Sequence, residues 1–155
     1  KRVLRNGTDS PEAYDLLLRA NDLHQNPSRD VFDPDTDPLL ELVDQALAID
    51  PDYAQAWVTR SAVFSSALFF DFDTSRSLEY IDESRRAAER AIEADPEYAE
   101  GHVRLAWSYF RARNHVEAER HLLRALELDP NNRDAKQYLR EIDAHKPARR
   151  GFRPW

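Results

Sequence analysis

The sequence has 155 residues, no cysteine, three glycines and a net charge of −7. Without cysteine, disulfides, thiolate metal sites and cysteine catalysis are excluded, and no apolar run approaches the roughly 18 residues of a membrane span. A composition poor in glycine and rich in Ala, Leu, Glu and Arg favours helices. The acidic balance argues against general binding of nucleic acids, whose phosphates it would repel.

The first predicted helix has the sequence PEAYDLLLRANDLH. Ser10 is the expected N-cap and Pro11 the first helical residue, since serine accepts free N–H groups and proline tolerates that position. The expected apolar face consists of Tyr14, Leu17 and Leu18. A second helix is predicted from about Pro38 to Ile49, after an acidic connection.

That acidic connection, DPDTDP, resembles the start of a calcium-binding loop with Asp33, Asp35 and Asp37 as ligands. Such a loop needs glycine at its sixth position and a bidentate glutamate at its twelfth, where this sequence has Pro38 and Asp44. Proline cannot adopt the positive φ that glycine provides, but it suits the start of a helix. We therefore expect a capped helix entry without a metal; a metal-regulated scaffold using these aspartates is an alternative.

Three later segments align with one another: ALAIDPDYAQAW (46–57), AIEADPEYAEGH (91–102) and ALELDPNNRDAK (125–136). In each, an alanine-rich helix end precedes Asp-Pro and the start of another helix. Proline ends the first helix because it lacks an N–H and restricts the residue before it. Such a period indicates helix pairs that share one core by stacking.

The clearest copy covers residues 99–132. Numbered from 1 to 34, its pattern residues are His102 (4), Leu105 (7), Ala106 (8), Tyr109 (11), Ala118 (20), Leu122 (24), Ala125 (27) and Pro130 (32). This pattern resembles the tetratricopeptide repeat, W-x2-L-G-x2-Y followed by A-x3-F, A and P. Only His102 departs clearly, because a bulky aromatic is usual at position 4.

The second copy departs further from the repeat pattern than the third. Trp57 occupies position 4, but Arg60 replaces leucine at position 7, and Ser61 and Ser84 occupy positions 8 and 20. This copy is also longer than 34 residues, and the excess falls between its helices, around LFFDFDTSRS. We interpret this insertion and the DPDTD connection as an additional contact surface.

The resemblance implies an all-α fold, an α-α superhelix of three helix pairs with a C-terminal capping helix. The expected single domain spans 1–155, with repeats at about 11–53, 54–98 and 99–132, the capping helix at 133–144 and an extended tail at 145–155. The opening TDSPEAYDLLLRA is also similar to the repeat regions of large bacterial signalling proteins. Together with the absence of methionine, this similarity predicts a piece of a larger bacterial protein, cytoplasmic or, alternatively, periplasmic.

In the family, positions 2, 5, 6, 9, 12 and 13 of each pair's first helix line a concave groove. The resemblance therefore implies a protein–protein interaction scaffold that binds a peptide or a partner protein there. The expected peptide-binding residues are Val58, Thr59, Ala62, Val103, Arg104, Trp107, Phe110 and Arg111. Trp107, between two arginines, is the expected anchor for an acidic or aromatic peptide; alternatively, it packs against the capping helix or the tail.

Some relatives bind C-terminal carboxylates through a Lys/Asn/Asn/Lys/Arg clamp. The corresponding positions here are Asp15, Arg19, Thr59, Glu100 and Arg104. Only Arg104 fits, so binding of a chaperone tail is not predicted.

Enzyme chemistry has little support, because Gly7, Gly101 and Gly151 are isolated and form no phosphate-binding loop. We expect neither a cofactor nor membrane insertion. Self-association is the other alternative, because charge is distributed unevenly. Residues 9–53 carry two basic and twelve acidic side chains, whereas residues 99–155 carry twelve basic and eight acidic ones.

Overall fold

The computed structural model describes residues 7–25, 33–35, 37–70 and 76–145. These residues form seven helices and no strand. The helices are α1 (Pro11–Gln25), α2 (Pro38–Ile49), α3 (Ala54–Phe70), α4 (Ser77–Ala94), α5 (Ala99–Arg111), α6 (His115–Leu128) and α7 (Arg133–His145). The predicted all-α architecture of three helix pairs and a further helix is confirmed. None of the described helices is both long and apolar enough to cross a membrane.

The helices stack in chain order, and the stack is curved. Each odd-numbered helix contacts the next odd-numbered one, from α1 through α7. Among the described residues, no such contact joins α2 to α4 or α4 to α6. The odd-numbered helices therefore lie closer together and form the concave side of the stack, and the even-numbered helices spread apart on the convex side.

The start of α1 is capped as predicted. The Ser10 Oγ accepts a hydrogen bond from the Ala13 N–H at 3.1 Å. The preceding Thr8 is buried, and its hydroxyl donates to the Asp50 carboxylate at the end of α2. These bonds fix the entry of α1 against the first inter-repeat turn.

The DPDTDP connection enters α2 as a capped helix, which confirms that prediction. Asp37 is only 6% exposed, and its carboxylate accepts from the N–H groups of Leu39 and Leu40 at 3.0 and 2.9 Å. Upstream, the Asp33 carboxylate accepts from the Asp35 N–H at 3.1 Å. An anionic cap is favourable here because it also opposes the positive end of the helix dipole.

The buried face of α1 is shifted by one residue towards the N-terminus relative to the predicted face. Its buried residues are Ala13, Leu16, Leu17 and Ala20. Leu18, which we expected in the core, is 45% exposed, and Tyr14 is half-buried. The run of three leucines fits either register. Two alanines on the buried face leave room for the large leucines of α2, which include the fully buried Leu39.

The three Asp-Pro turns have the same geometry. In each, the backbone N–H of the aspartate bonds to the carbonyl four residues earlier, and its side chain accepts from the N–H two residues later. These aspartates are Asp50, Asp95 and Asp129, with side-chain bonds of 3.1 Å in all three cases. The repeated sequence signal therefore corresponds to one repeated backbone structure.

The last helix, α7, packs against α6 and α5. Its buried side chains Ala135 and Ile142 join a core cluster with Leu122 of α6, and the partly buried Tyr138 and Leu139 pack against that cluster. The helix covers the open end of the third pair with an amphipathic surface. The structure does not describe the predicted tail beyond His145, residues 26–32 and Thr36 of the connection between α1 and α2, or residues 71–75 of LFFDFDTSRS.

Candidate functional site

The concave side is built from the odd-numbered helices. On α3, its central helix, the groove positions Thr59, Ala62 and Ser66 are small and half-buried. Small side chains keep this central strip low between the neighbouring helices α1 and α5. We interpret this strip as the floor of a shallow trough between the two flanking helices, both of which contact α3.

The structure separates the predicted peptide-binding residues by accessibility. Thr59, Ala62, Arg104 and Phe110 are half-buried, and Arg111 is exposed. Val58 and Val103 are buried, at 8% and 1% exposure. These two valines can support the groove from below, but their side chains are not available to a peptide in this conformation.

Trp107 is also largely buried, at 6% exposure. The Arg111 guanidinium lies over its ring, 5.9 Å from the ring centroid. An arginine over an aromatic face is attracted by the ring quadrupole. The accessible group at this position is therefore Arg111, and Trp107 serves as its support rather than as an open anchor.

Arg104 is held by a neighbour on its own helix. Its guanidinium forms an ion pair with Glu100 at 3.0 Å, one turn earlier. It also lies near Tyr138 of α7, whose pKa burial raises and Arg104 lowers. The single residue that fits the carboxylate clamp is thus already neutralised by a carboxylate of the same chain.

Phe110 contacts two histidines. Its ring meets His115 of α6 edge-on at a centroid distance of 5.4 Å and His145 of α7 at 6.2 Å. The two imidazoles stack on each other at 6.2 Å. Phe110 therefore joins the last three helices, and its role is mainly one of packing.

On the α1 wall, the predicted register of the groove positions is wrong by one residue. With the register corrected by one residue, Tyr14 and Leu18 occupy groove positions 5 and 9, beside the exposed Asp15 and Asp22. The sequence could not predict this register, because periodicity alone cannot decide which of three adjacent leucines are buried. The correction also moves Tyr14 and Leu18 into the two clamp positions assigned above to Asp15 and Arg19.

A separate groove opens on the convex side between α2 and α4, with a volume of about 630 Å³. Its lining residues include Leu47, Ala48, Trp57 and Ala87. Charged side chains surround this apolar floor in pairs, such as Arg90 with Glu93 at 2.5 Å. Because these charges are paired, the groove has no excess of either sign to attract a charged ligand.

A histidine pair joins the two helices of the third repeat. The His102 Nε2 lies 3.0 Å from the Pro96 carbonyl and must donate to it, since a carbonyl only accepts. The His102 Nδ1 then accepts from the His121 Nδ1–H, 3.2 Å away. Burial, followed by the neighbouring His102 and Arg120, lowers the pKa of His121 to about 4. The His121 imidazole is therefore neutral at pH 7.

The possible metal ligands are not gathered. Across the described ranges, no three or more His, Asp or Glu side chains are placed to hold an ion. Asp37 instead caps α2, and Asp33 closes the turn before it.

Comparisons with known proteins agree with this geometry. The tetratricopeptide repeat family matches residues 99–132. No curated protein shows a significant match to the sequence.

Solved structures similar to the whole chain include three tetratricopeptide-repeat proteins, each 20% identical in sequence. One is the first TPR of Spaghetti (RPAP3) bound to the HSP90 peptide SRMEEVD (TM-score 0.68, covering 89% of this chain and 95% of that one). Another is the Sgt2 TPR domain from Aspergillus fumigatus (0.71, 99% and 91%). A third is a thermophilic TPR protein from the bacterium Thermus thermophilus (0.71, 88% and 66%).

The register, the Asp-Pro turns and these similarities agree on one conclusion. Residues 99–132 are a tetratricopeptide repeat, and the chain as a whole has the helical-repeat fold of tetratricopeptide-repeat domains.

Proposed function

We propose that the chain is a protein–protein interaction scaffold that binds an extended peptide segment across its concave side. The observation that carries the proposal is the row of small, half-buried side chains Thr59, Ala62 and Ser66 on α3. This row lies between α1 and α5. Support comes from RPAP3, a protein of the same fold that was solved with a bound peptide. Extended peptides suit such troughs because their side chains alternate between neighbouring walls.

The ligand that we propose differs from the acidic peptide of RPAP3. Tyr14 and Leu18 offer no cationic group at their groove positions, and Glu100 holds the remaining Arg104. A carboxylate that approaches Arg104 would have to displace Glu100. We therefore expect the peptide SRMEEVD to show no saturable binding in fluorescence anisotropy with the full chain.

The position of the site can be tested with two matched substitutions. Ala62→Arg places a long cation on the concave strip, and Ala48→Arg places the same side chain in the convex groove. Affinity capture from the native organism, quantified by mass spectrometry, should lose specific partners with Ala62→Arg and retain them with Ala48→Arg. Thermal unfolding of both variants controls for folding.

If Ala48→Arg loses the partners and Ala62→Arg retains them, the binding site is the convex groove and not the concave side. If both variants retain every partner of the unsubstituted chain, the concave side does not bind these partners and the proposal fails.

A further inference from the structure

The α1 wall of the concave side combines accessible apolar groups with acidic groups that form no ion pair within the described part of the chain. Leu18 is 45% exposed and Tyr14 is half-buried. The adjacent Asp15 and Asp22 are exposed, and neither forms an ion pair with any described residue. An exposed leucine beside a tyrosine and two free carboxylates is complementary to a segment that carries both aromatic and cationic side chains.

The C-terminal segment of the chain has that composition. Residues 146–155, KPARRGFRPW, carry four basic and no acidic side chains, together with Phe152 and Trp155. We propose that this segment of one chain binds along the α1 wall of a second copy, so that the chains associate head to tail. The inference rests on the proposed function, because it names an occupant for part of the same concave side.

The order of charges favours a second copy over the same chain. A segment that leaves α7 and runs back along its own concave side meets α5 first, where the exposed Arg111 would oppose its arginines. Ten extended residues span about 33 Å, and three steps between neighbouring helices cover roughly 24–30 Å. Only the last residues could then reach α1. A second copy can approach α1 from its open side without passing Arg111 of α5.

This contact joins two different surfaces, so it repeats from chain to chain instead of closing in a symmetric pair. Its attraction depends on exposed charges and must weaken as salt is added. We expect sedimentation velocity of the full chain at low ionic strength to show association that increases with protein concentration. Raising the salt to about 0.5 M should reverse most of it.

Charge reversal on either surface provides the specific test. Asp15→Arg with Asp22→Arg, and separately Arg149→Glu with Arg150→Glu, should each weaken association at least about tenfold, because attraction becomes repulsion. The matched control for the aspartate pair is Asp52→Arg with Glu97→Arg, which makes the same change of net charge at two exposed turn residues. It should leave association within about twofold.

The decisive sample combines all four reversals in one chain. Association should return towards that of the unsubstituted chain, because each interface again joins opposite charges. If the combined chain remains monomeric, if the control loses association equally, or if the unsubstituted chain is monomeric at every concentration, the inference is overturned.

The Ala62→Arg comparison in affinity capture separates this result from the proposed function. A monomeric chain that still loses captured partners with Ala62→Arg overturns head-to-tail binding alone.

Discussion

The second and third helix pairs share one backbone arrangement but fill it with different chemistry. At positions 8 and 20, where the helices of a pair approach most closely, the third pair has Ala106 and Ala118. The second pair has Ser61 and Ser84 at the same two positions, both fully buried. The fold therefore requires small residues at these positions, and it accepts a hydroxyl where a partner is available.

The serines supply those partners to one another. Ser84 lies 2.9 Å from the Ser61 hydroxyl and 3.0 Å from that of Ser65, and it donates to the Ser61 carbonyl. Ser108, from the next pair, lies 3.4 Å from Ser84. A buried hydroxyl without a partner is costly, but a closed network is not. The cluster links α3, α4 and α5 across the boundary between the pairs.

Position 7 differs in the same way. The third pair has Leu105, 5% exposed, whereas the second has Arg60, whose guanidinium bonds to Asp44 of α2 at 2.9 Å and to Glu83 of α4 at 3.2 Å. Arg60 also lies over the Phe64 ring at 5.1 Å. One arginine thus spans three helices where a leucine would pack. The third pair relies on apolar burial, and the second depends partly on polar links.

The largest effect should come from the apolar core of the third pair. Leu122→Ala removes a fully buried side chain and leaves a cavity, which should lower the free energy of unfolding by about 2–5 kcal/mol. Urea unfolding measures this loss, and hydrogen exchange should show it in α5 to α7 first. Leu123→Ala, at a half-exposed neighbour on the same helix, is the control and should cost much less.

The histidine pair should make the third pair sensitive to acid. In the unfolded chain the pKa of His121 is near 6.5, and folding lowers it to about 4. The unfolded state therefore binds the proton first, and stability that is complete above pH 6.5 is lost as the pH falls towards 4. Between pH 6.5 and 5 the loss should be about 1.5 kcal/mol.

Urea unfolding at several pH values measures this loss. The variant His121→Phe keeps a ring against Tyr109 but cannot titrate, and it should show a smaller loss over the same pH interval. Equal losses in the two proteins would contradict the assignment to His121.

The serine network should contribute an intermediate amount. Ser84→Ala copies the third pair at position 20 and removes the partner of the Ser61 hydroxyl, while Ser65 and Ser108 keep their backbone acceptors. It should cost about 1–2 kcal/mol. The double variant Ser61→Ala with Ser84→Ala should cost less than the sum of the single variants, because each removes the other's partner. Additive losses in urea unfolding would show that the hydroxyls act independently.

Arg60 should give the smallest effect and the clearest contrast between the pairs. Arg60→Leu introduces the residue of the third pair, and apolar burial should offset the lost ion pairs to within about 1 kcal/mol. Arg60→Ala loses both and should be less stable than Arg60→Leu. Thermal unfolding in low and high salt measures both variants. Stability should depend less on salt in each, because the ion pairs of Arg60 with Asp44 and Glu83 are lost.

Most of the fold could be predicted from the sequence because its signals are local. The Asp-Pro turns, the Ser10 cap and the Asp37–Pro38 entry each depend on a few adjacent residues, and the structure confirms all of them. The face of α1 could not be predicted in the same way. Three consecutive leucines satisfy two registers equally, and only the shape of α2 selects between them.

The candidate site was less predictable for the same reason. Position within the repeat drew attention to the strip on α3, but it could not reveal that Arg104 is bound by Glu100 or that Trp107 is buried. Accessibility and charge pairing depend on neighbouring helices, which a single repeat does not contain. The structure therefore changes which groups are offered to a partner, and it brings Leu18 and Tyr14 into that set.

The sequence by itself determined the entries of α1 and α2 and the turns that end α2, α4 and α6, that the helices pair, and that charge is acidic at one end and basic at the other. Local hydrogen bonds and proline geometry are sufficient for the first two of these properties. Only the tertiary structure decided how polar residues fit the core of the second pair. A buried serine or arginine is tolerated when partners from other helices reach it, and their positions are fixed by packing over the whole stack.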